Sequence, residues 1–472
     1  MGRRGAFSAM SAAQRAEAVL DAGTFVPLSA VTSDTPIVAG SGVLGRVPVL
    51  VAFTDGHVHG GTIGMRESGI LARLADMATT GYVRGKPPTA LIIGFDTGGV
   101  RVEEGPIALA AASAVGVALA RLTLRGVRLA AVISGPRGCF GAPAVMAALP
   151  ERIILTADAH WGLTGPKLLG GLADGNRPEE EALAATSAAN RLGNGDAHLV
   201  VRDSAAAVRS ALRAFAAEAK TGRTVRPLED WIIGSEQTAA ALDARLQSDP
   251  SWHPPSRHGK THHRDLLRYS FRGQWKPAEP VQHRGLIHAA LGTLGNHPAL
   301  GFIVGPEQIP GGGVGIEEAA VVTGMIGRAV QQATSTPAAI LTFLFCQGHV
   351  VNSTQERLGL HRALAECLRA MVAARLRGHP IVSILGGGTY GAAYLALAAP
   401  SHRILAMRGT SVAPMAPQVL QAFEALRGRT AVQREGAQLA ELIPDIRMVE
   451  SVIRLPRVLR EELTKLTTPA ES

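Results

Sequence analysis

His59-Gly60-Gly61-Thr62-Ile63-Gly64-Met65-Arg66-Glu67 and Pro310-Gly311-Gly312-Gly313-Val314-Gly315-Ile316-Glu317-Glu318 are two versions of one turn, 251 positions apart. Three further pairs keep the same order. Leu91-Ile92-Ile93-Gly94-Phe95, leading to Gly98, has its counterpart 250 positions on in Leu341-Thr342-Phe343-Leu344-Phe345, leading to Gly348. Ala131-Val132-Ile133 precedes Gly138-Cys139-Phe140-Gly141-Ala142, as Ile381-Val382-Ser383-Ile384 precedes Gly388-Thr389-Tyr390-Gly391-Ala392, again 250 on. Arg152-Ile153-Ile154-Leu155 recurs as Arg403-Ile404-Leu405. A single Gly-rich match is common, but four in order at a near-constant displacement mark an internal duplication.

Each copy reads as short apolar strands, Gly turns and helices in alternation. Runs such as Ala130 to Ile133 and Ile381 to Leu385 are bounded by glycine and have the length of buried strands. From Glu356 to Arg377, apolar residues at helical spacing predict one long helix, and Ser11 to Ala22 predicts a capped N-terminal helix. Alternating strands and helices place the chain in the α/β class, with a largely parallel sheet in each copy. A single core stops growing near about 250–300 residues, so the 472-residue chain is expected to form two domains. The expected boundaries are 1–245 for the first unit, 246–270 for a linker and 271–472 for the second. The linker centres on the polar, His-rich stretch from Ser251 to Arg264. Its His253, His258, His262 and His263 have no carboxylate or cysteine scaffold, so no metal site is expected.

The net charge of +9 attracts anionic partners. No zinc-finger spacing, RNP-type aromatic motif or long Lys/Arg run accompanies it, so nucleic acid is not expected. Cys139, Cys346 and Cys367 lack metal-ligand spacing and are odd in number, which suggests a reducing, cytoplasmic setting. Arg3-Arg4 is not followed by an apolar export segment. The apolar run from Ile107 to Ala120 is too short to span a bilayer, so no membrane association is expected.

The paired Gly turns carry the chemistry. Glycine lets backbone approach a ligand closely, and N–H groups at a helix start attract oxyanions. Two turns converging in each copy would form a two-donor oxyanion hole. Valine at Gly138 or Gly388 is then expected to cost activity and not the fold. Cys139 has Thr389 as its counterpart, which favours a backbone role over a thiol nucleophile. Glu103 and Glu104 are placed as helix-start acids, not as an acid–base pair. His57, His59 and His349 flank the turns as possible proton sources.

Asp96-Thr97-Gly98-Gly99-Val100-Arg101-Val102-Glu103-Glu104-Gly105, Gly135-Pro136-Arg137-Gly138-Cys139-Phe140-Gly141 and Leu163-Thr164-Gly165-Pro166 resemble segments of carboxyltransferase β subunits, above all that of biotin-independent malonate decarboxylase. From about Arg272 the chain resembles the γ subunit of the same enzyme, most clearly from Glu356 to Ala365. The resemblance implies a natural β–γ fusion with two tandem crotonase-like domains of repeated ββα units. It also implies decarboxylation of a malonyl thioester on an acyl carrier protein, at an interdomain site with paired oxyanion holes. One hole would fall on Gly60, Gly61, Gly138 and Cys139, and the other on Gly312, Gly313, Gly387 and Gly388. Gly98, Gly99, Phe140, Thr389, Tyr390 and His349 would contact substrate. No directly bound cofactor is implied, since the acyl group arrives on a phosphopantetheine-type arm of a carrier protein or of CoA. The partners implied are an acidic acyl carrier protein, an acyl-carrier transferase subunit and further copies of the chain. The alternatives are a biotin-dependent acyl-CoA carboxyltransferase and a noncatalytic carrier-binding scaffold. The four-Cys zinc ribbon of bacterial biotin-dependent β subunits is missing, and the turn Gly386-Gly387-Gly388-Thr389-Tyr390-Gly391 departs from the usual γ pattern.

Overall fold

The computed structural model describes residues 6–29, 36–81, 83, 85–172, 178–218, 228–250, 275–277, 282–284, 287–294, 297–305, 313–332, 337–427, 446–451 and 453–467. The first sheet runs in chain order through β1 (Val26–Pro27), β2 (Ile37–Leu44), β3 (Val47–Thr54), β4 (Ala90–Phe95), β5 (Leu129–Ile133), β6 (Arg152–Thr156) and β7 (Leu199–Val201). Its first three strands are antiparallel and the rest pair in parallel. The second sheet repeats the plan. β8 (Trp275–Pro277) and β9 (Gln282–Arg284) flank β10 (Ile287–Leu294), followed by β11 (His297–Val304), β12 (Ala339–Leu344) and β13 (Ile381–Leu385). β14 (Gly388–Tyr390) then leaves the sheet, β15 (Arg403–Met407) rejoins it, β16 (Ser411–Ala413) pairs with β14, and β17 (Ile446–Val449) closes the edge. β3 and β11 begin at Val47 and His297, 250 positions apart, so the duplication seen in the motifs is a duplication of whole units. The architecture is two tandem α/β units of one plan.

Strands such as Ala90–Phe95 are buried at every position because both faces of a parallel sheet are covered. Leu91 and Ile93 point into a core shared with the second unit. Ala90 and Ile92 face an outer core closed by the Ala12–Val19 and Ala205–Glu218 helices. Ser11 caps the former through the Gln14 amide, with Gln14 returning the bond.

The units meet through the Pro106–Leu124 and Leu360–Leu376 helices. Gly116 also lets Leu395, in the Tyr394–Ala398 segment of the second unit, come close, since a Cβ there would lie 2.7 Å from Leu395 Cδ1. Two sequence expectations are corrected here. The apolar Ile107 to Ala120 run belongs to a 19-residue helix, long and apolar enough to cross a membrane, whose apolar surface is mostly buried inside the protein. The helix expected from Glu356 to Arg377 is broken into Ser353–Arg357 and Leu360–Leu376. Gly359 makes the break at φ +89°, where a Cβ would sit 2.7 Å from the Asp196 carboxylate.

The Leu228–Gln247 helix, in sequence the tail of the first unit, packs on Ile316–Gln332 of the second. Gln331 Nε2 donates to the Ile232 carbonyl at 2.9 Å, and Trp231 Nε1 donates to Glu366 at 3.2 Å. Most of the expected linker, with its four histidines, lies outside the described residues, as does Gly312.

Candidate functional site

A cavity of about 470 Å³ opens between the two units, walled by both copies. The frame is pseudo-symmetric. In the first copy the Ile63 amide donates to the Gly99 carbonyl, and in the second the Val314 amide donates to Gly348, at 2.9 and 2.8 Å. Gly99 and Gly348 share positive φ, 122° and 108°. The structure therefore pairs Gly348 with Gly99 and not with Gly98, the loop before it being one residue shorter. Phe140, Gly141 and Ala142 line the cavity opposite their counterparts Tyr390, Gly391 and Ala392. Gly141 and Gly391 both adopt left-handed φ, 66° and 51°, the first just before a helix and the second opening one. Among the expected contacts, Gly60, Gly98, Gly99, Phe140, Tyr390 and His349 line this cavity.

The remaining expected residues that are described do not line it. The Gly61 amide donates to Val58 at 2.8 Å, the Gly138 amide to Gly135 at 3.3 Å and the Cys139 amide to His160 at 2.9 Å. These amides are engaged in holding the turns, so in this structure they are not open oxyanion donors. Cys139 is fully buried, bridging Thr97 and Trp161, and burial pushes its thiol pKa well up. Gly313, Gly387, Gly388 and Thr389 do not line the cavity either. The expectation for valine at Gly138 or Gly388 is corrected. A Cβ on Gly138, at φ +69°, would lie 2.2 Å from the His160 carbonyl oxygen, and one on Gly388 would lie 2.4 Å from the Tyr390 ring. The Gly60, Val100 and Gly348 amides, by contrast, have no internal acceptor among the described residues, and all three residues line the cavity.

Several residues that build the site carry no local sequence signal. The fully buried Glu356 carboxylate of the second unit accepts the Leu163 and Thr164 amides of the first, at 3.0 and 2.6 Å. Thr164 Oγ1 lies 3.3 Å from His349 Nε2, so this contact crosses the cavity back to the second unit. Burial pushes the Glu356 pKa up, while Arg191 and the two amides favour its charged form. Arg191, also fully buried, donates to the Trp161, Ala185 and Glu356 carbonyls and pairs with Asp196 at 3.3 Å. Asp96 accepts the Arg137 amide and the Arg15 guanidinium, both at 2.9 Å, tying the Gly135–Cys139 turn to the end of β4. His160 bonds Thr186 at 3.0 Å, and burial lowers its pKa.

Of the three histidines expected near the turns, the structure brings only His349 to the cavity. His57 is exposed and bonded to Asp55, and His59 is exposed at φ 48°. Burial drives the His349 pKa down to about 4. Glu104 and Gln355 perform the same task in the two copies, accepting the Met65 and Ile316 amides at 2.7 and 2.8 Å. Glu104 is thus a helix cap and not an acid–base group. Among the described residues, no three potential ligands cluster to hold a metal.

The malonate decarboxylase gamma-subunit family matches residues 310–466. The malonyl-S-ACP:biotin-protein carboxyltransferase of Malonomonas rubra is 30% identical over 188 residues, 34% of this chain and 59% of that protein. The acetyl-coenzyme A carboxylase carboxyl transferase subunit beta of Desulforamulus reducens is 32% identical over 134 residues, 28% of this chain and 44% of that one. The chain thus spans three fifths or less of these curated relatives. A Pseudomonas malonate decarboxylase heterodimer is 28% identical over 51% of this chain and 97% of that one, with a TM-score of 0.42. The second half of the chain is thus similar to the malonate decarboxylase gamma subunit, and the chain also shares sequence with carboxyltransferases.

Proposed function

We propose that this chain decarboxylates a malonyl thioester. The observation that carries the proposal is the interdomain cavity, framed twice over by backbone from the two copies. Breaking the bond from C2 to the free carboxylate releases CO2 and moves the bonding pair toward the thioester, as an enolate whose charge builds on oxygen. Open amides from one copy stabilise that charge, and those of the other hold the carboxylate until it departs. Gly60 and Val100 provide the first set and Gly348 contributes to the second. Exposed Arg137 and Lys167 on the rim suit the phosphate of a pantetheine arm.

C2 of the enolate then takes a proton. His349, neutral because burial lowers its pKa, offers a ring N–H beside Thr164. The carbanion is a far stronger base than imidazolate, so a neutral ring suffices, and solvent restores the proton.

The depressed pKa makes a separate prediction. The unfolded chain protonates His349 at its ordinary 6.5 and the folded chain at about 4. Between those values the unfolded state holds more protons, so the contribution is full above 6.5 and falls as pH drops toward 4. At pH 5 this residue should cost about 1–2 kcal/mol relative to pH 7. Urea unfolding of wild type and His349→Gln at both pH values checks this, the variant showing a shallower pH slope.

The deciding experiment incubates purified protein with malonyl-carrier or malonyl-CoA and follows CO2 and acetyl thioester with avidin present. CO2 release despite avidin supports decarboxylation. The Malonomonas relative's biotin-protein activity favours a second reading, carboxyl transfer, under which CO2 appears only with a biotin carrier. Binding to an acidic carrier should weaken steeply as salt rises.

A further inference from the structure

The two copies build the same frame around the cavity but furnish it differently. The Cys139↔Trp161 and Thr389↔Val412 pairings set the register of the following segment, which begins a helix at Pro166 in one copy and Pro417 in the other. In that register Thr164 is matched by Met415 and Leu168 by Val419, and all four line the cavity. The cationic positions are not matched. Gly387 stands where the first copy has Arg137, and Gln418 where it has Lys167, and neither counterpart lines the cavity. Pro414 and Ala416 match Leu163 and Gly165, which also line the cavity, and the second wall adds the half-buried Phe423. Among the described residues, no Asp or Glu lines either wall. Both sides thus carry apolar residues, Phe140, Leu163 and Leu168 on the first and Met415, Val419 and Phe423 on the second, but the cationic groups stand on the first side alone.

We infer that the patch on the second side, centred on Met415, Val419 and Phe423, receives an apolar substituent on C2, so that the preferred substrate is an alkyl-substituted malonyl thioester. The inference rests on the proposed decarboxylation and names its substrate class. A bare malonyl group is a methylene between two carbonyl groups and offers this wall almost no apolar surface. With the arm held at the Arg137–Lys167 rim, the thioester at the first copy's amides and the carboxylate at Gly348, a C2 substituent is the remaining part of the substrate that can face Met415, Val419 and Phe423. Each buried methylene is worth roughly fourfold in affinity for the transition state.

The test measures kcat/KM for malonyl-, ethylmalonyl- and butylmalonyl-CoA with wild type, Val419→Ser and Phe423→Ser. In parallel, calorimetry measures binding of acetyl-, butyryl- and hexanoyl-CoA, none of which can lose CO2. Wild type should prefer butylmalonyl over malonyl at least about tenfold, with both variants flattening the rise and the calorimetric series following suit. Equal or better use of malonyl overturns the inference, as does a rise that survives both substitutions. If no malonyl thioester releases CO2, the proposed decarboxylation fails. The pocket then stands only if acyl-CoA affinity still climbs with chain length and flattens in the variants.

Discussion

Gly98→Val is expected to lower decarboxylation at least about a hundredfold with the melting temperature almost unchanged. Gly98 lines the cavity, and its φ lies outside the left-handed region. Among the described residues, a Cβ there would meet only the Gly60 carbonyl oxygen within 4 Å, at 3.5 Å. The fold therefore accommodates the side chain, and the two methyl groups occupy space that the acyl group needs. Gly138→Val is the contrasting control. Its Cβ would stand 2.2 Å from the His160 carbonyl oxygen at a φ of +69°, so the turn must break and the protein should fail to fold. Steady-state rates together with thermal melts separate the two. A Gly98→Val protein with full activity would mean that substrate does not enter this cavity.

Glu356→Ala should destabilise the chain by about 3–5 kcal/mol. Its carboxylate is fully buried and is the acceptor for the Leu163 and Thr164 amides. Alanine leaves both amides in the interior without a partner, and leaves the nearby buried Arg191 short of a counter-charge. Glu356→Gln retains one carbonyl acceptor and should recover part of the loss. Chemical denaturation measures the effect. Activity should fall further than stability alone explains, because Thr164 carries the contact to His349. If Glu356→Ala unfolds at the wild-type denaturant concentration, the Glu356 link does not hold the units together.

Of the expected glycines Gly61, Gly138, Gly387 and Gly388 do not line the cavity, but Gly60, Gly98 and Gly99 do, and the duplicated units and the order of strand, turn and helix were readable from the sequence. Such features follow from local rules. Strand runs declare themselves by length and apolar content, and a positive-φ turn position favours glycine, as at Gly99, Gly141, Gly348 and Gly391. The break at Gly359 was missed although it too is a glycine, because apolar spacing continues across it and the reason for the break, Asp196, lies far away in the chain.

Which amides remain open was decided only by tertiary structure. Cys139 and Gly60 sit in turns of the same appearance, yet the amide of the first is engaged by the His160 carbonyl and that of the second is open. No local pattern separates them, because the acceptor comes from another segment. The same holds for Glu356, whose partners are 193 and 192 residues away in sequence, and for the unequal walls of the cavity. Helix and turn propensities act over a few residues, whereas the desolvation that makes a buried carboxylate, a neutral histidine or an apolar wall matter arises only when distant segments exclude water together.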